Sequence, residues 1–389
     1  MPRTLIITND FPPRQGGIET FVHAMAVRFP PGDVAVYTSA EPGARDHDAR
    51  LPFPVVRDPT RTLLPTRRTT ARAAALIGEL DCDTVWFGAA APLGLMAAAL
   101  RRRTAVRRMV ATTHGHEVWW ARTPGARRAL RRIGATVNTM TYLGDYTRRA
   151  IAPALDPAAA SRMRRLTPGV DPSDFTPRGT DPTPAAIALR ASYGIPADAP
   201  VVLCAARLVP RKGQDTLIRA LPLIHRAAPG TVLLLVGAGP DEPRLRRLAA
   251  TLGPGLGPRV VFAGGHGHRA MPGFYAAADV FAMPCRTRRA GLEVEGLGIV
   301  FLEAAACGLP TVAGRSGGAP ATIHDGKTGY VTDPRSLVEV ADRLIRLLTD
   351  RELARSMGRE GRARVESAWT WHHAHTRLTT LLADPVPHL

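Results

Sequence analysis

The chain has 389 residues, 45% of them hydrophobic, which is enough for about two domains with separate cores. Its formal net charge is +18, and strongly basic chains bind polyanions such as nucleic acid, anionic membranes or phosphorylated substrates. Nearly all basic residues are arginine, only 5% of residues are aromatic and no recognition module is visible, so we expect no nucleic-acid binding. Four scattered cysteines indicate buried thiols in a reducing cytoplasm, and the longest apolar run, 85–100, is too short to span a bilayer.

The first predicted element is a short buried strand over 4–8, followed by a turn with Gly16 and Gly17 and by a helix over 18–28. Glycine lets the backbone approach a ligand closely, and a helix N-terminus favours an anion. A simple turn is the alternative interpretation. Because the G-x-G-x-x-G fingerprint is absent, a nicotinamide-dependent enzyme is disfavoured.

Strands and helices alternate through the rest of the first half. Strands are predicted over 34–38, 55–57, 83–87, 106–113, 136–141 and 163–166, and helices over 67–80, 92–101, 123–134 and 145–151. This alternation is typical of a parallel, doubly wound sheet.

A polar cluster follows the strand over 106–113, where the chain reads T-H-G-H-E-V-W-W. Two histidines and a glutamate at a strand's carboxyl end can be catalytic, sugar-binding or metal-binding, whereas a lone histidine is usually structural. The neighbouring glycine and tryptophans favour a site at His114 and His116. The cluster lacks the i, i+4 histidine pair and third ligand of a zinc helix, so we expect no metal.

The helix predicted over 123–134 is strongly basic on one side, with Leu130 and Ile133 on the other. Its arginines are Arg127, Arg128, Arg131 and Arg132. A solvated surface helix is the ordinary interpretation. With Trp119 and Trp120 beside it, the helix also fits contact with an anionic membrane surface.

Segment 171–184 is rich in Pro, Asp, Thr and Gly, which predicts an interdomain linker. Alternation then restarts, with strands over 201–205, 232–236, 260–262, 280–283 and 311–313, and helices over 214–228, 271–277, 335–349, 351–367 and 369–382, besides one ending near 252. Two such arrays imply two doubly wound domains.

Two cations, Arg207 and Lys212, follow the strand over 201–205. The only other lysine of the chain is Lys327, so a lysine at 212 suggests that a compact point charge is required there. A surface lysine is the alternative interpretation.

The stretch 286–310 is the most informative part of the sequence. Glu295 and Glu303 are eight residues apart, so both are predicted to lie on one face near the start of a helix over 298–307. The N–H groups of Gly298 and Ile299 would bind a diphosphate, and the two carboxylates a sugar and a ribose. An amphipathic helix with solvated glutamates is the alternative interpretation.

In this order the motifs resemble those of the retaining glycosyltransferases of family 4. The resemblance rests on Gly16-Gly17, Arg207 with Lys212, and Glu295-x7-Glu303. Segments such as N-D-F-P-P-R-Q-G-G-I-E and V-E-G-L-G-I-V-F-L-E-A are similar to those of actinobacterial phosphatidylinositol mannosyltransferases. The resemblance implies the α/β GT-B fold, with two Rossmann-like domains (1–172 and 185–368) facing a cleft and the final segment (369–389) crossing back to the first domain.

The resemblance also implies a reaction, in which mannose moves from GDP-mannose to phosphatidylinositol monomannoside through an α-(1→6) link. The implied catalytic residues are His114, Arg207, Lys212 and Glu295. The implied donor-binding residues are Gly16, Gly17, Arg207, Lys212, Glu295, Gly298, Ile299 and Glu303. The implied acceptor-side residues are Asp10, His116, Trp119 and Trp120. Retention would come from front-face attack assisted by the departing phosphate, without a protein nucleophile.

No metal cofactor is expected, because arginine, lysine and helix N–H groups would do the work of a divalent cation. The expected partners are GDP-mannose, a phosphoinositide glycolipid and the inner face of the cell membrane, to which the protein would bind peripherally. Two alternatives stay open. One is a family 4 enzyme with a soluble or different glycolipid acceptor, or another nucleotide sugar, and the other is a non-enzymatic, basic nucleic-acid-binding protein.

Overall fold

The computed structural model describes residues 3–14, 16–177, 179 and 183–383. The chain forms two compact units, one of Met1–Pro168 with Trp371–Leu389 and one of Gly169–Thr370. The predicted linker, 171–184, and the predicted C-terminal segment, 369–389, each lie partly outside the described residues.

Parallel strands form the sheet of the first unit. The strands are β1 (Thr4–Ile7), β2 (Val34–Ser39), β3 (Val55–Asp58), β4 (Thr84–Phe87), β5 (Arg108–Thr112), β6 (Thr139–Tyr142) and β7 (Arg164–Arg165). Among the described residues their order is β3-β2-β1-β4-β5-β6-β7, with every pair parallel. β1, β2, β4 and β5 are buried along their whole length, as parallel strands covered on both faces are.

Helices connect these strands. They are α1 (Gly17–Ala26), α2 (Ala44–Asp48), α3 (Arg67–Glu79), α4 (Ala97–Arg103), α5 (Glu117–Arg122), α6 (Pro124–Thr136), α7 (Asp145–Ile151) and α8 (Pro157–Ser161). The predicted helix over 92–101 instead opens with a 3-10 turn, Leu93–Met96, before α4. The sequence did not predict α2, α5 and α8, which have five or six residues each and are too short to display a period.

The second unit repeats the pattern. Its strands are β8 (Val201–Ala205), β9 (Val232–Val236), β10 (Val260–Gly264), β11 (Val280–Met283), β12 (Thr311–Gly314) and β13 (Gly329–Thr332). Its helices are α9 (Pro184–Ser192), α10 (Gln214–Ala227), α11 (Glu242–Ala250), α12 (Met271–Ala276), α13 (Ile299–Ala306), α14 (Leu337–Thr349) and α15 (Arg351–Ala368). The strand order in the described part is β10-β9-β8-β11-β12-β13, again all parallel.

The last helix, α16 (Trp371–Ala383), belongs to the first unit. Trp371 contacts Phe21 with ring centroids 5.9 Å apart, and His375 contacts Phe29 at 4.8 Å. The buried Arg108 on β5 donates a hydrogen bond to the carbonyl of Leu381 near the helix end. α16 therefore completes the core of the first unit.

The strand order places a topological switch point in each sheet, between β1 and β4 in the first unit and between β8 and β11 in the second. Loops at the carboxyl ends of strands beside such a point are where open α/β sheets bind ligands. Arg207 and Lys212 follow β8, and Glu295 follows β11, so the sheet order brings the cations and this carboxylate to one edge.

Candidate functional site

Lys212 and Glu295 form a buried ion pair in the second unit. Lys212 ends a 3-10 turn, Pro210–Lys212, and its Nζ lies 2.6 Å from Glu295 Oε2. The next residue, Gly213, has φ +80°, and a Cβ there would lie 2.1 Å from the carbonyl oxygen of Pro284 at the end of β11. Only glycine therefore lets the turn approach β11 closely enough for the ion pair.

Arg211 binds the same carboxylate oxygen, a contact that the sequence did not predict. Its Nη1 lies 2.6 Å from Glu295 Oε2. Burial raises the pKa of Glu295, but Lys212 and Arg211 outweigh it and hold that pKa below its ordinary value. Glu295 is therefore an anion at neutral pH. Its Oε1 forms no hydrogen bond within the described residues and is left to accept one from a ligand.

The prediction that Glu295 and Glu303 share a helix face is wrong. Glu295 lies in the non-helical segment before α13, whereas Glu303 is inside the helix. The segment is held by the loop after β12, where Gly318 N donates to Glu295 O at 2.9 Å and a Cβ on Gly317 would lie 2.0 Å from that oxygen. Tertiary contacts, not helical periodicity, position Glu295.

The predicted start of α13 is correct to within one residue. Gly298 is the N-cap, with φ +85°, and Ile299 is the first helical residue. A Cβ on Gly298 would lie 2.7 Å from the ring of Phe301, so a side chain is excluded here by both conformation and space. In the described part of the chain the N–H groups of Gly298 and Ile299 have no acceptor, which leaves them available to an anion.

Glu303 has partners that differ from those of Glu295. The buried Tyr275 donates a hydrogen bond to Glu303 Oε2 at 2.7 Å, and His268 Nδ1 lies 3.7 Å from Oε1. Burial raises the pKa of Glu303, while Tyr275 and His268 act in the opposite direction. Tyr275 therefore fixes the orientation of this carboxylate.

Arg207 differs from Lys212 in exposure. Its side chain is exposed and forms no hydrogen bond or ion pair within the described residues, although its carbonyl accepts a hydrogen bond from Gln214 at 3.1 Å. The structure thus joins Lys212 to Glu295 and leaves the Arg207 guanidinium facing solvent.

In the first unit, Gly16 is the N-cap of α1 and Gly17 its first residue. A Cβ on Gly16 would lie 2.2 Å from Glu19 Oε2, so the carboxylate of Glu19 folds back over the start of the helix. Glu19 is 6% exposed, and its Oε1 pairs with Arg14 Nε at 3.2 Å. Burial raises the pKa of Glu19. The sequence did not predict an acidic group at this helix start.

His114 follows β5 and is held in one orientation. Its Nε2 lies 2.7 Å from the carbonyl oxygen of Gly88, and its ring contacts Phe21 at 5.1 Å. Because a carbonyl oxygen can only accept, Nε2 carries the proton and Nδ1 is an acceptor. Burial lowers the pKa of His114 to about 4, so the ring is neutral at pH 7.

Asp10, His116 and Glu117 form a group of ionisable side chains near His114. Burial raises the pKa of Asp10. The nearby His116 acts to lower this pKa, and Glu117 acts to raise it. Glu117 is fully buried, and its Oε1 lies 3.4 Å from His116 Nε2. The switch point between β1 and β4, next to β5, explains why a residue after β1 and residues after β5 meet.

Trp119 and Trp120 pack against each other on α5, with ring centroids 5.3 Å apart. Trp119 is 40% exposed, while Trp120 contacts the core of the unit. On α6, Leu130 and Ile133 are buried as predicted. Arg127 and Arg131 are tied to the carbonyl of Pro153 and to Asp156, respectively, whereas Arg128 and Arg132 are exposed without a side-chain partner in the described part of the chain.

Three residues of the site were missed by sequence reasoning. Arg211 stood beside Lys212, and in a chain with so many arginines it carried no distinguishing signal. Tyr275 is 28 residues from Glu303, so only the fold brings them together. Glu19 was detectable, because it stands three residues after the N-cap Gly16, a position from which a glutamate can reach back to the helix start.

Two known protein families match the chain, each over most of one unit. Residues 15–174 match "Glycosyltransferase Family 4", and residues 186–364 match "Glycosyl transferases group 1". The crystal structure of Anabaena HepE in complex with UDP and glucose superposes with a TM-score of 0.80 at 21% identity, covering 99% of this chain and 100% of that chain. Fold and site together define a GT-B glycosyltransferase.

Two relatives are similar over nearly the whole chain. The Mycolicibacterium smegmatis protein named GDP-mannose-dependent alpha-(1-6)-phosphatidylinositol monomannoside mannosyltransferase is 49% identical, over 97% of this chain and 98% of its own. A Corynebacterium glutamicum protein, whose name specifies a monoacylated acceptor, is 43% identical, over 98% of this chain and 97% of its own. The chain belongs to glycosyltransferase family 4, in the group that contains these mannosyltransferases.

Proposed function

We propose that this glycosyltransferase moves mannose from GDP-mannose to phosphatidylinositol monomannoside, with an α-(1→6) link and retention of configuration. The observation that carries the proposal is the 43–49% identity, over nearly the full length of both chains, to relatives named for this reaction.

The donor diphosphate is bound by the second unit. Lys212 and the exposed Arg207 supply positive charge to the departing GDP, and the unpaired N–H groups of Gly298 and Ile299 add donors at the start of α13. Glu295 accepts a mannose hydroxyl through the oxygen that the cations leave unused, and Glu303 accepts the ribose hydroxyls. Gly16 and Gly17, at the start of α1 in the first unit, are further donor-binding residues in this proposal.

The acceptor is bound by the first unit. His114 offers Nδ1 as an acceptor beside the transferred sugar, because its Nε2 proton is committed to Gly88. Asp10 and His116 bind acceptor hydroxyls, and Trp119 and Trp120 supply apolar surface toward the lipid. No protein nucleophile is required if the departing phosphate oxygen takes the acceptor proton.

The reaction needs no metal cofactor in this proposal. Three cationic side chains, Arg207, Arg211 and Lys212, supply the charge that a divalent ion supplies elsewhere. Turnover that is unchanged after EDTA treatment supports this, and turnover that returns only when Mg²⁺ or Mn²⁺ is added back refutes it.

The protein binds peripherally to the inner face of the cell membrane, where its glycolipid acceptor resides. The exposed Arg128 and Arg132 on α6, and the half-exposed Trp119 on the preceding helix, support this. Among the described residues no helix is long and apolar enough to cross a membrane.

Mass spectrometry of reaction products tests the proposal. Purified protein is incubated with one of three donors, GDP-mannose, UDP-glucose or UDP-GlcNAc. Each donor is paired with one of four acceptors: phosphatidylinositol monomannoside without or with its additional acyl chain, phosphatidylinositol, or inositol phosphate. The proposal predicts one added hexose only with GDP-mannose and a monomannoside. Preferential transfer from UDP-glucose or UDP-GlcNAc, or transfer to inositol phosphate alone, refutes the proposal.

A further inference from the structure

Glu117 is a buried carboxylate to which no role has been given so far. It is the first residue of α5, and its side chain is fully buried. An ionised carboxylate inside a protein costs several kcal/mol unless hydrogen bonds or charges compensate, so its partners indicate what the residue is for.

The partners of Glu117 are the two histidines that precede it. Oε2 accepts a hydrogen bond from the backbone N–H of His114 at 2.9 Å, and Oε1 lies 3.4 Å from His116 Nε2. Within the described residues Oε1 has no hydrogen bond of good geometry. Gly115, with φ +100°, turns the chain so that one carboxylate reaches the backbone of one histidine and the ring of the other.

The ring of His114 is fixed at its far end by Gly88 and Phe21, whereas its backbone is fixed by Glu117. Both ends must be held for Nδ1 to point in one direction. A displacement of about 1 Å in such a group can reduce turnover by about a hundredfold.

We propose that Glu117 is a positioning residue, whose buried carboxylate anchors the backbone of His114 and thereby aims the Nδ1 of His114 at the transferred sugar. The inference rests on the proposed function for what His114 contacts. Glu117 does not itself touch the substrate in this account.

A double-mutant cycle tests the proposal. Glu117→Ala is expected to lower kcat by about 10- to 100-fold, with KM for GDP-mannose changed by less than about twofold. In the His114→Ala background the same change is expected to cost less than about twofold, because the residue through which Glu117 acts is absent. Equal losses in both backgrounds overturn the proposal.

Two further variants separate anchoring from general stability. Glu117→Gln keeps an oxygen that accepts the His114 N–H and is expected to retain most of the turnover; a variant as impaired as Glu117→Ala overturns the anchoring role. Glu79→Ala, which removes an exposed carboxylate on α3, is the matched control and is expected to leave kcat unchanged.

Hydrogen exchange, followed by mass spectrometry of peptides that cover 113–118, gives a reading that does not use turnover. Glu117→Ala is expected to speed exchange at the His114 amide at least tenfold relative to wild type and to Glu79→Ala. Unchanged exchange overturns the anchor even if the enzyme is active. If the wild-type protein shows no mannosyl transfer, the proposed function is refuted. Hydrogen exchange at the His114 amide still decides whether Glu117 anchors that backbone.

Discussion

Lys212 is paired with Glu295 and is also proposed to face the diphosphate during the reaction. Lys212→Met is expected to lower kcat by about 100- to 1,000-fold, the usual cost of removing one group that stabilises developing charge. Lys327→Met is the control, because it changes the only other lysine, an exposed one.

The same substitution leaves Glu295 buried with Arg211 alone, so it is also expected to lower the free energy of unfolding. Breaking a buried ion pair costs about 3–5 kcal/mol, and Arg211 should reduce that cost. Repeating Lys212→Met in a Glu295→Gln background separates the loss of turnover from the loss of stability. In that background the carboxylate that Lys212 compensates is absent, so the substitution should cost little free energy of unfolding. A turnover that stays near normal in Lys212→Met contradicts the phosphate role.

His114 predicts how stability depends on pH. Its pKa is about 4 in the folded protein and near 6.5 in the unfolded chain, so the unfolded state binds more protons between these values. Stability is therefore expected to fall as pH drops from 6.5 to 4, by at most about 3 kcal/mol from this residue.

Chemical denaturation of wild type and His114→Gln at pH 7, 5.5 and 4.5 measures this contribution. The Gln variant should show a smaller loss of stability across the window. Parallel losses in the two proteins would mean that His114 is already accessible to protons in the folded state.

Tyr275 is expected to affect donor affinity more than turnover. Tyr275→Phe removes the hydrogen bond to the buried Glu303, which is expected to cost about 1–2 kcal/mol of stability and to raise KM for GDP-mannose several-fold. Tyr142→Phe, which removes a hydroxyl without a hydrogen bond in the described residues, is the control. A lower kcat with unchanged KM would contradict a role for Glu303 in ribose binding.

At the scale of elements, α6 is the helix that we propose to contact the membrane. Arg128 and Arg132 are exposed, whereas Arg127 and Arg131 are engaged with neighbouring segments of the unit. Arg128→Gln with Arg132→Gln is expected to weaken binding to vesicles with 30% phosphatidylserine by about 30-fold, at about 1 kcal/mol per charge.

Co-sedimentation at two salt concentrations measures the binding. Arg102→Gln with Arg103→Gln, on the exposed end of α4, provides a control of equal charge. Equal weakening by both pairs would show that net charge, rather than α6, governs binding.

The elements that the sequence predicted well are those with strong local signals. β8, β9 and α7 have the predicted bounds, since runs such as V-L-L-L-V and a Gly-Asp helix start are local features. β13 was not predicted, because the four residues G-Y-V-T begin with a glycine, which weakens any strand signal.

The candidate site was predictable in its parts but not in its connections. The pairing of Lys212 with Glu295 follows from the order β8-β11, which sequence alternation does not determine. The helix-face argument for Glu295 and Glu303 failed because it extended helical periodicity to Glu295, which precedes the N-cap of α13. Contacts across strands, such as Gly317 against Glu295, have no local signature.

At the scale of the whole molecule, most of the proposed donor-binding groups lie in the second unit and the proposed acceptor-binding groups lie in the first. The second unit contains the cations and the two glutamates, while the first contains His114 and the exposed tryptophan. Loss of Glu303 in the second unit is expected to raise the donor KM, whereas loss of Lys212 in the second unit or of His114 in the first is expected to lower kcat.

The most direct test of the central claim is the mass spectrum of the product formed from GDP-mannose and phosphatidylinositol monomannoside, by wild type and by Glu295→Gln. The account predicts one added hexose in an α-(1→6) link with wild type, and a product reduced by at least about a hundredfold with Glu295→Gln. An unmodified acceptor with the folded wild-type protein, or an equal yield from the variant, would contradict it.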